Sequence, residues 1–317
     1  MKKELFMMAC LAVLGIQVVK AQIAALALHH KGNVTMYNAT QFSNMMTEAE
    51  DGDTIYISTG TISTNITITK KLTFIGAGAE TPSTINGDIS LAIPDSVTLT
   101  GSLLKNLRIT GKFSVDKPVA GMTIDKCRID GNISFNANLD QSTIVSSYLG
   151  ANFTLSDKIK NLSIFTSKLN NIYGRCTDPS NACFINCNIC YLRNNSDANN
   201  CLASYVNCAI YDHSSSDSYY NPLTNYVNCL FRYNSSSWNK CTISNCWSNG
   251  SFYINSGNLN VSGVDVNNYK GTDGTTVGVT GTSSPYTLTP QTPKVLTSEL
   301  SVDEVGTTLS VKLTVGN

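Results

Sequence analysis

Charged residues, proline, histidine and tryptophan are all scarce in this 317-residue chain. Only 14% of the residues are Asp, Glu, Lys or Arg, and 22 basic residues balance 22 acidic ones, so the formal net charge is zero. A chain without excess positive charge lacks the electrostatic footprint of a nucleic-acid-binding protein. Hydrophobic residues still make up 42% of the chain. The composition therefore excludes a disordered chain and predicts no nucleic-acid partner.

Long hydrophobic runs are absent after the first twenty residues. Residues 5–19 form an apolar run of fifteen behind a short basic start. A membrane-spanning helix needs roughly 20 apolar residues, so the shorter run predicts a signal peptide over residues 1–21. Val19 and Ala21 provide the small residues of a cleavage site. We expect an exported protein, outside the cell or in the cell envelope at its outer surface, with no transmembrane segment in the mature chain.

A short motif recurs along most of the chain at a nearly constant interval. Examples are LKNLRI at 104–109, IDKCRI at 124–129 and YVNCAI at 205–210. Successive copies are 20 or 21 residues apart, and the last interval falls to 17. The fourth positions of the copies are Leu107, Cys127, Ser147, Ser167, Cys187, Cys208, Cys229 and Cys246. A fixed period of this length indicates a solenoid.

Each repeat has the pattern of short β-strands. Apolar residues alternate at Met122 and Ile124 and again at Ile133 and Phe135, which is the period of a strand. The step of three from Ile124 to Cys127 breaks the alternation and predicts a bend between two strands. A coil of short strands that stacks on the next coil is a parallel β-helix. The sequence therefore predicts an all-β, single-stranded solenoid of nine or more coils of 20–21 residues.

The residue before the fourth motif position is asparagine in four late repeats, at Asn186, Asn207, Asn228 and Asn245. Asparagine tolerates left-handed backbone better than most residues. Stacked amides also hydrogen-bond from one strand layer to the next. We therefore predict an internal amide ladder at the bend, and a ligand-binding row of amides is the alternative.

Residues 51–78 carry the most distinctive stretch, DGDTIYISTGTISTNITITKKLTFIGAG. Its Gly-Asp turn, strand, Gly turn and closing phrase I-T-K-x-L-T-x-I-G resemble the opening of pectate-lyase-like, right-handed parallel β-helix proteins. The resemblance implies a short helix over residues 39–50 that caps the open end of the rod. Such a cap covers strand edges that would otherwise be unpaired. The stretch specifies a fold and no chemistry.

The repeat also sets the expected domain organisation. An N-terminal segment with the helix cap covers 22–50, and the parallel β-helix covers 51–270. Residues 271–293, rich in Gly, Thr, Ser and Pro, are a final coil or linker. Alternating apolar residues over 294–317 predict a C-terminal β-hairpin. We favour a cap on the far end of the rod over an attachment module, since that edge also needs cover.

The chain contains 11 cysteines, and the repeat accounts for five of them as inward-facing residues. The remaining ones after the signal are Cys176, Cys183, Cys190, Cys201 and Cys241. Local bridges between Cys176 and Cys183 and between Cys190 and Cys201 are possible in an exported protein, but connectivity does not follow from sequence. Cys183, Cys187 and Cys190 also spell C-x3-C-x2-C, a spacing that resembles the cluster-binding triad of radical-SAM enzymes. Because the repeat already explains Cys187, we predict no metal and no cofactor there.

Many proteins of the pectate-lyase-like fold cleave acidic polysaccharides, so the resemblance raises the question of a catalytic site. A lyase needs a base and calcium-binding carboxylates, and a hydrolase needs paired carboxylates. No Asp-Asp pair, Gly-His-Gly or Arg-x-Lys occurs in the chain. No catalytic residue is therefore carried over. Weak candidates in three successive coils are Arg193, Asp212, His213 and Arg232, for which the alternative is solvated turn residues.

Tyrosines also recur in successive coils, at Tyr173, Tyr191, Tyr211 and Tyr233. A row of exposed rings can stack on sugar rings, as on other flat apolar faces. The alternative is that the tyrosines cover the edges of the coils. We predict an exported, non-catalytic β-helix protein at the cell surface or outside, which binds a polysaccharide or a cell-surface glycan. The alternative is a divergent polysaccharide lyase or glycoside hydrolase of the same fold.

Overall fold

Short strands that pair with a strand one repeat later make up most of the structure. The computed structural model describes residues 24–78, 82–94, 97–99, 103–175, 180–194, 201–213, 224–231, 242–248, 259–260, 269–279, 294–302 and 309–316. The expected signal peptide lies outside these ranges. The parallel pairing steps by one repeat, so the chain winds into a right-handed parallel β-helix, which confirms the predicted fold class. Among the described helices, none has the length and apolar character needed to cross a membrane.

The first face of the solenoid is a twelve-stranded sheet, called sheet 1 here. From Thr54 onward each strand runs parallel to the next. The strands of sheet 1 are, in spatial order, Asn33–Asn38, Ala25–His30, Thr54–Ile57, Thr73–Gly76, Leu104–Lys105, Thr123–Asp125, Ser142–Val145, Leu162–Phe165, Ser180–Ile185, Cys201–Val206, Thr224–Val227 and Thr242–Ser244.

The second face, sheet 2, has fifteen strands and carries the surfaces discussed below. Early coils contribute two short strands each, and from Tyr148 onward the two merge into one longer strand that pairs with both predecessors. The strands of sheet 2 are Gly60–Ile62, Ile66–Ile68, Ser83–Ile85, Ile89–Leu91, Leu107–Ile109, Phe113–Val115, Arg128–Ile129, Ile133–Phe135, Tyr148–Ser156, Lys168–Arg175, Asn188–Asn194, Ala209–His213, Leu230–Phe231, Cys246–Ser248 and Leu259–Asn260.

A small third sheet closes the early coils. It contains Val97–Thr98, Val119–Ala120 and Leu139–Asp140, and a single bridge joins Leu139 to Ile159. Leu139 and Ile159 are fully buried. Coils with this third side enclose their core on three faces, which is the expected cross-section of a β-helix.

The number of regular turns is smaller than the repeat predicts. Seven strands of sheet 1 pair at intervals of 20 or 21 residues through Leu104, Ile124, Ile144, Ile164, Phe184, Tyr205 and Tyr226. The solenoid makes about seven turns, not nine or more. The outer strands depart from the repeat because their connections differ in length. Phe74 precedes Leu104 by 30 residues, and Ile243 follows Tyr226 by 17.

The bend between sheets 1 and 2 is built as the motif predicts. The fourth motif position is buried in every copy from Leu107 to Cys246. The preceding residue is left-handed each time, with φ between 44° and 55°, at Asn106, Lys126, Ser146, Thr166, Asn186, Asn207, Asn228 and Asn245. Asn245 Nδ2 donates to Asn228 Oδ1 at 2.8 Å. This contact is one rung of the predicted amide ladder.

The buried residue after the bend donates a hydrogen bond to a backbone carbonyl that the bend leaves in the interior of the solenoid. Ser147 Oγ donates to the carbonyl of Val145 at 2.8 Å and accepts from the amide of Cys127 at 3.1 Å. Cys208 Sγ donates to the carbonyl of Val206 at 3.4 Å. A small residue with a weak or strong donor therefore fits this position, which explains why serine or cysteine occupies it in every copy after Leu107.

The interior changes from aliphatic to aromatic along the rod. Ile124, Ile144 and Ile164 occupy one column of sheet 1, and the next residues in it are Phe184 and Tyr205, then Tyr226. The rings of Phe184 and Tyr205 stack at 4.8 Å, and those of Tyr205 and Tyr226 at 5.0 Å. The spacing equals that of neighbouring strands, so each ring rests on the ring of the previous coil.

The N-terminal end is capped by a hairpin as well as by the expected helix. A 3-10 turn, Ala39–Gln41, leads into helix α1, Phe42–Glu48, inside the predicted range. Lys70 Nζ donates to the carbonyls of Met46, Thr47 and Ala49 at the end of α1. Strands Ala25–His30 and Asn33–Asn38 pair antiparallel, and the former also pairs antiparallel with Thr54–Ile57. The helix covers the open coil, and the hairpin covers the first strand edge.

The C-terminal residues form the predicted hairpin. Strands Lys294–Val302 and Leu309–Gly316 pair antiparallel. Whether the hairpin caps the rod or attaches it stays a prediction.

Residues 269–279, called the strap here, fold back over the outer surface of sheet 2. A bridge between Lys270 and Thr276 closes it into a loop. The strap contributes Val277, Tyr269 and Val279 to an outer apolar cluster with Ala209, Leu230 and Trp247. Trp247 and Tyr269 have ring centroids 4.5 Å apart. The strap thereby buries the outer side of the last coils.

Candidate functional site

Two of the four predicted tyrosines lie close together on the outer surface of sheet 2. Tyr191 is opposite Asn171, and Tyr173 is opposite Arg193, in the pairing of two adjacent strands. Positions two apart on a strand face the same side, so Tyr173 and Tyr191 are diagonal neighbours on one face. Tyr191 is 38% exposed, and Tyr173 is half-buried.

The other two tyrosines do not extend this pair. Tyr211 is half-buried against the outer apolar cluster under the strap, and Asn188 Nδ2 donates to its hydroxyl at 3.4 Å. Tyr211 therefore covers a coil, as the alternative interpretation proposed. Tyr233 lies outside the described residues. The ligand-binding role of these tyrosines stays a prediction.

The three catalytic candidates that the structure describes do not occupy a common register. Asp212 pairs with Tyr191, while His213 pairs with Leu192. The column of His213 holds Phe153, Ile172 and Leu192, which are all fully buried. Arg193 lies in the column of Tyr173, two positions away from that of Asp212. Arg232 lies outside the described residues, and a catalytic role for any of the four stays a prediction.

A column of amides leads up to Tyr191 along the rod axis. Asn152 donates its backbone amide to Asn132 Oδ1 at 3.2 Å, and Asn171 Nδ2 donates to Asn152 Oδ1 at 3.1 Å. Asn152, Asn171 and Tyr191 follow one another in register, and Asp212 comes next. We call Asn132, Asn152, Asn171 and Tyr191 the amide column. Its side chains offer amide donors and acceptors next to an aromatic face.

A second column on sheet 2 was not among the predicted site residues. Arg108, Arg128, Tyr148 and Lys168 pair in register on four successive coils, and we call them the basic column. The Arg128 Cζ lies 5.2 Å from the Tyr148 ring centroid, and the Lys168 Nζ lies 5.6 Å from it. Both distances are within the range of cation–π attraction. The aromatic ring therefore separates two cations along the rod.

One carboxylate accompanies the basic column. Asp130 Oδ1 accepts from Arg128 Nε at 2.7 Å, and its Oδ2 accepts from Arg108 Nε at 3.0 Å. Partial burial opposes ionisation of Asp130, but the two arginine hydrogen bonds outweigh it and lower the pKa of its carboxyl. Asp130 is therefore ionised at neutral pH, and its carboxylate holds both guanidinium groups.

A sequence signal for the basic column exists in the repeat itself. Arg108, Arg128, Tyr148 and Lys168 each follow the buried fourth motif position directly, at intervals of exactly one repeat. Residues at one offset of a solenoid repeat must stack in a column. The shared position of these four residues in the repeat can be read from the sequence. The placement of the Tyr148 ring between two cations cannot, because it depends on side-chain geometry.

The cysteines of the C-x3-C-x2-C pattern do not converge. Cys183 lies on sheet 1, Cys187 follows the bend in the interior, and Cys190 lies on sheet 2. All three are free thiols, so neither local bridge is formed at Cys183 or Cys190. Burial raises the pKa of Cys183 and raises that of the interior Cys127 to about 12. Within the described residues, no three His, Cys, Asp or Glu side chains are grouped to hold a metal ion.

Comparison of the chain with protein-family models, with curated proteins and with solved structures found no match. The structure places the chain in the class of right-handed parallel β-helix proteins by its winding alone. The likeness to pectate-lyase-like proteins rests on residues 51–78 and on the repeat.

Proposed function

We propose that this protein is an exported, non-catalytic β-helix that binds glycans on the outer surface of sheet 2. The observation that carries the proposal is the amide column ending at Tyr191, with Tyr173 as its diagonal neighbour. Amide groups exchange hydrogen bonds with sugar hydroxyls, and aromatic faces cover the apolar faces of sugar rings. An extended column suits a linear chain of sugars lying along the rod.

Two further features support a binding role. Strand backbone, rather than a mobile loop, carries Asn152, Asn171 and Tyr191, so the surface is preorganised and loses little entropy on binding. The catalytic candidates, in contrast, are spread over different register positions. The apolar run at residues 5–19 supports export.

The test is a glycan array probed with the mature chain, residues 22–317, together with an assay of the same polysaccharides for new reducing ends and unsaturated products. We expect binding without product. Tyr191→Ala removes the exposed ring and should weaken binding about tenfold, since stacking of one aromatic residue contributes about 1 kcal/mol or more. Asn171→Ala should weaken it less.

Tyr56→Ala is the matched control. Tyr56 is also an exposed tyrosine on a strand, at 45%, but it lies beside the N-terminal hairpin. The Tyr56→Ala variant should leave glycan binding unchanged. Equal loss in Tyr56→Ala and Tyr191→Ala would contradict a site on sheet 2, and formation of product would contradict a non-catalytic role and restore the lyase or hydrolase alternative.

A further inference from the structure

The basic column concentrates positive charge in a protein that has no net charge. Arg108, Arg128 and Lys168 supply three cations, and Asp130 supplies one anion between the two arginines. The basic column and Asp130 together carry three positive charges and one negative charge, a net charge of +2 over four successive coils. The whole chain, in contrast, has a formal net charge of zero. On sheet 1 of the same coils, Lys105 and Asp125 neutralise each other at 3.4 Å. The basic column therefore carries more positive than negative charge along one line of sheet 2.

Tyr148 holds two of these cations at a fixed separation. Its ring leans over Gly150, where a Cβ would lie only 2.9 Å from the ring carbon Cε1. The ring faces attract Arg128 on one side and Lys168 on the other. These like charges are two rungs apart, about 10 Å at the usual strand spacing. An oxyanion that lies beside the Tyr148 ring and contacts both cations would offset their repulsion, because its negative charge attracts each of them.

The donors favour a tetrahedral oxyanion over a planar one. Arg128, Tyr148 and Lys168 stand on three successive rungs, and the guanidinium, the hydroxyl and the ammonium are all hydrogen-bond donors. A sulfate ester offers three oxygens in a tetrahedral arrangement, whereas a carboxylate offers two in a plane. Recognition of carboxylates through bound calcium needs several acidic ligands. Among the described residues, Asp130 is the carboxylate that forms ion pairs with the column, and both of its oxygens accept from arginine.

We propose that the basic column binds sulfate esters of a linear glycan that runs parallel to the rod axis. This inference rests on the proposed glycan binding and names its ligand class. Lys168 and the paired Asn188 lie only three positions before Asn171 and Tyr191 on the same two strands. One polysaccharide chain therefore reaches both columns, with its sulfates at the basic column and its hydroxyls at the amide column.

The test uses three polymers with one backbone: dextran, carboxymethyl dextran and dextran sulfate. Affinity for each is measured with the mature chain and with Arg128→Gln, Lys168→Gln and Lys117→Gln. Lys117 is exposed away from the column and is the matched charge control. We expect preference for dextran sulfate, about a tenfold loss in the Arg128 and Lys168 variants, and no change in the Lys117 variant. Circular dichroism checks that each variant is folded.

The outcomes separate this inference from the proposed function. Equal losses in all three variants would show attraction by total charge and overturn the column as a site. Equal affinity for carboxymethyl dextran would overturn the choice of sulfate. If neutral glycans on the array bind in a manner sensitive to Tyr191→Ala while dextran sulfate does not bind, the sulfate site is wrong and the proposed function stands. If neither binds, both are wrong.

Discussion

Asp116 shows how single side chains hold neighbouring coils together. Its carboxylate accepts hydrogen bonds from Ser90 and Ser114 through Oδ2 and from Asn136 through Oδ1 at 2.6 Å. Ser90 lies one coil before Ser114. Asn136 belongs to the coil after Ser114, because it follows Ser134, which pairs with Ser114. Asp116 thus connects three layers of sheet 2. A charged acceptor contributes more than a neutral one, which favours the ionised carboxylate.

The acidity of Asp116 makes part of the stability depend on pH. The hydrogen bond from Ser90 is the largest cause that lowers the pKa of Asp116 below its ordinary 3.8, with partial burial opposing. A lowered native pKa means that the stabilisation is complete above 3.8 and is lost as the pH falls through the native value. We expect Asp116→Asn to destabilise the protein by about 1 kcal/mol at neutral pH and by less in acid.

Thermal melting of wild type and Asp116→Asn at pH 7 and at pH 2.5 measures this difference. Asp157→Asn is the control, since Asp157 contacts Lys158 at a longer distance of 3.8 Å. A difference in melting temperature that is the same at both pH values would show that the native pKa of Asp116 is not lowered.

At the scale of the residue, the interior was more predictable than the surface. The fourth motif position followed from the sequence, and so did the left-handed residue before it at the four late asparagines, because asparagine tolerates that backbone. The same backbone at Lys126, Ser146 and Thr166 did not follow from the residue type. The basic column shares the same period, but a charged residue at the surface fits many environments. The binding proposed for the basic column depends on where the charged ends of Arg128 and Lys168 lie relative to the Tyr148 ring. The period of the repeat does not determine these side-chain positions.

At the scale of the element, hydrogen bonds to two asparagines of the bend, Asn245 and Asn228, hold the strap. Asn245 Oδ1 accepts from the amide of Asp273 at 3.0 Å, and Asn245 Nδ2 donates to Thr275 Oγ1 at 3.0 Å. Gly278 donates its amide to the carbonyl of Asn228 at 2.8 Å. Gly271 approaches so closely that a Cβ would lie 2.0 Å from Asn245 Oδ1 and 2.7 Å from its carbonyl oxygen. The strap therefore requires glycine at this contact.

We expect Gly271→Ala to lift the strap from sheet 2. Trp247 is only 2% exposed beneath it, so its fluorescence should shift to longer wavelength when water reaches the ring. The measurement is made with Trp238→Phe as background, because the chain has two tryptophans. Gly274→Asn is the control, since Gly274 has open space around it and asparagine tolerates its positive φ of 81°. An unchanged emission spectrum for Gly271→Ala would contradict this role of the contact.

The strap also determines the surroundings of Tyr211, which the sequence placed in one row of exposed rings. In the strand pairing Asp212, and not Tyr211, lies opposite Tyr191. Residues far along the chain, Tyr269 and Val277, complete the cluster that packs on Tyr211. Contacts between segments so distant in sequence leave no local pattern. The N-terminal hairpin is a local contact and was missed for a different reason: alternating Leu26 and Leu28 fit a parallel or an antiparallel strand equally well.

At the scale of the whole molecule, each coil contacts mainly its two neighbours. Removing residues 127–146 joins Lys126 to Ser147, which restores a left-handed bend followed by a buried small residue. In a solenoid, stability is close to a sum over repeats and their interfaces. We expect the shortened protein to fold and to melt about 5 °C lower, because one interface of many is lost.

Circular dichroism and thermal melting measure this outcome. A deletion of half the length, residues 127–136, is the control, because it breaks the register and should abolish the β-sheet signal. If both deletions fold equally well, or if neither does, the coils are not interchangeable units.

The antiparallel hairpin Ala25–Asn38 gives the rod a fixed origin. It pairs antiparallel with Thr54–Ile57, where the parallel part of sheet 1 begins, and so occupies the edge on which a further parallel strand would pair. Every added repeat lengthens the molecule by one strand spacing, about 4.8 Å. The distance of an outer side chain from the N-terminal end of the solenoid therefore increases in steps of one strand spacing from each coil to the next.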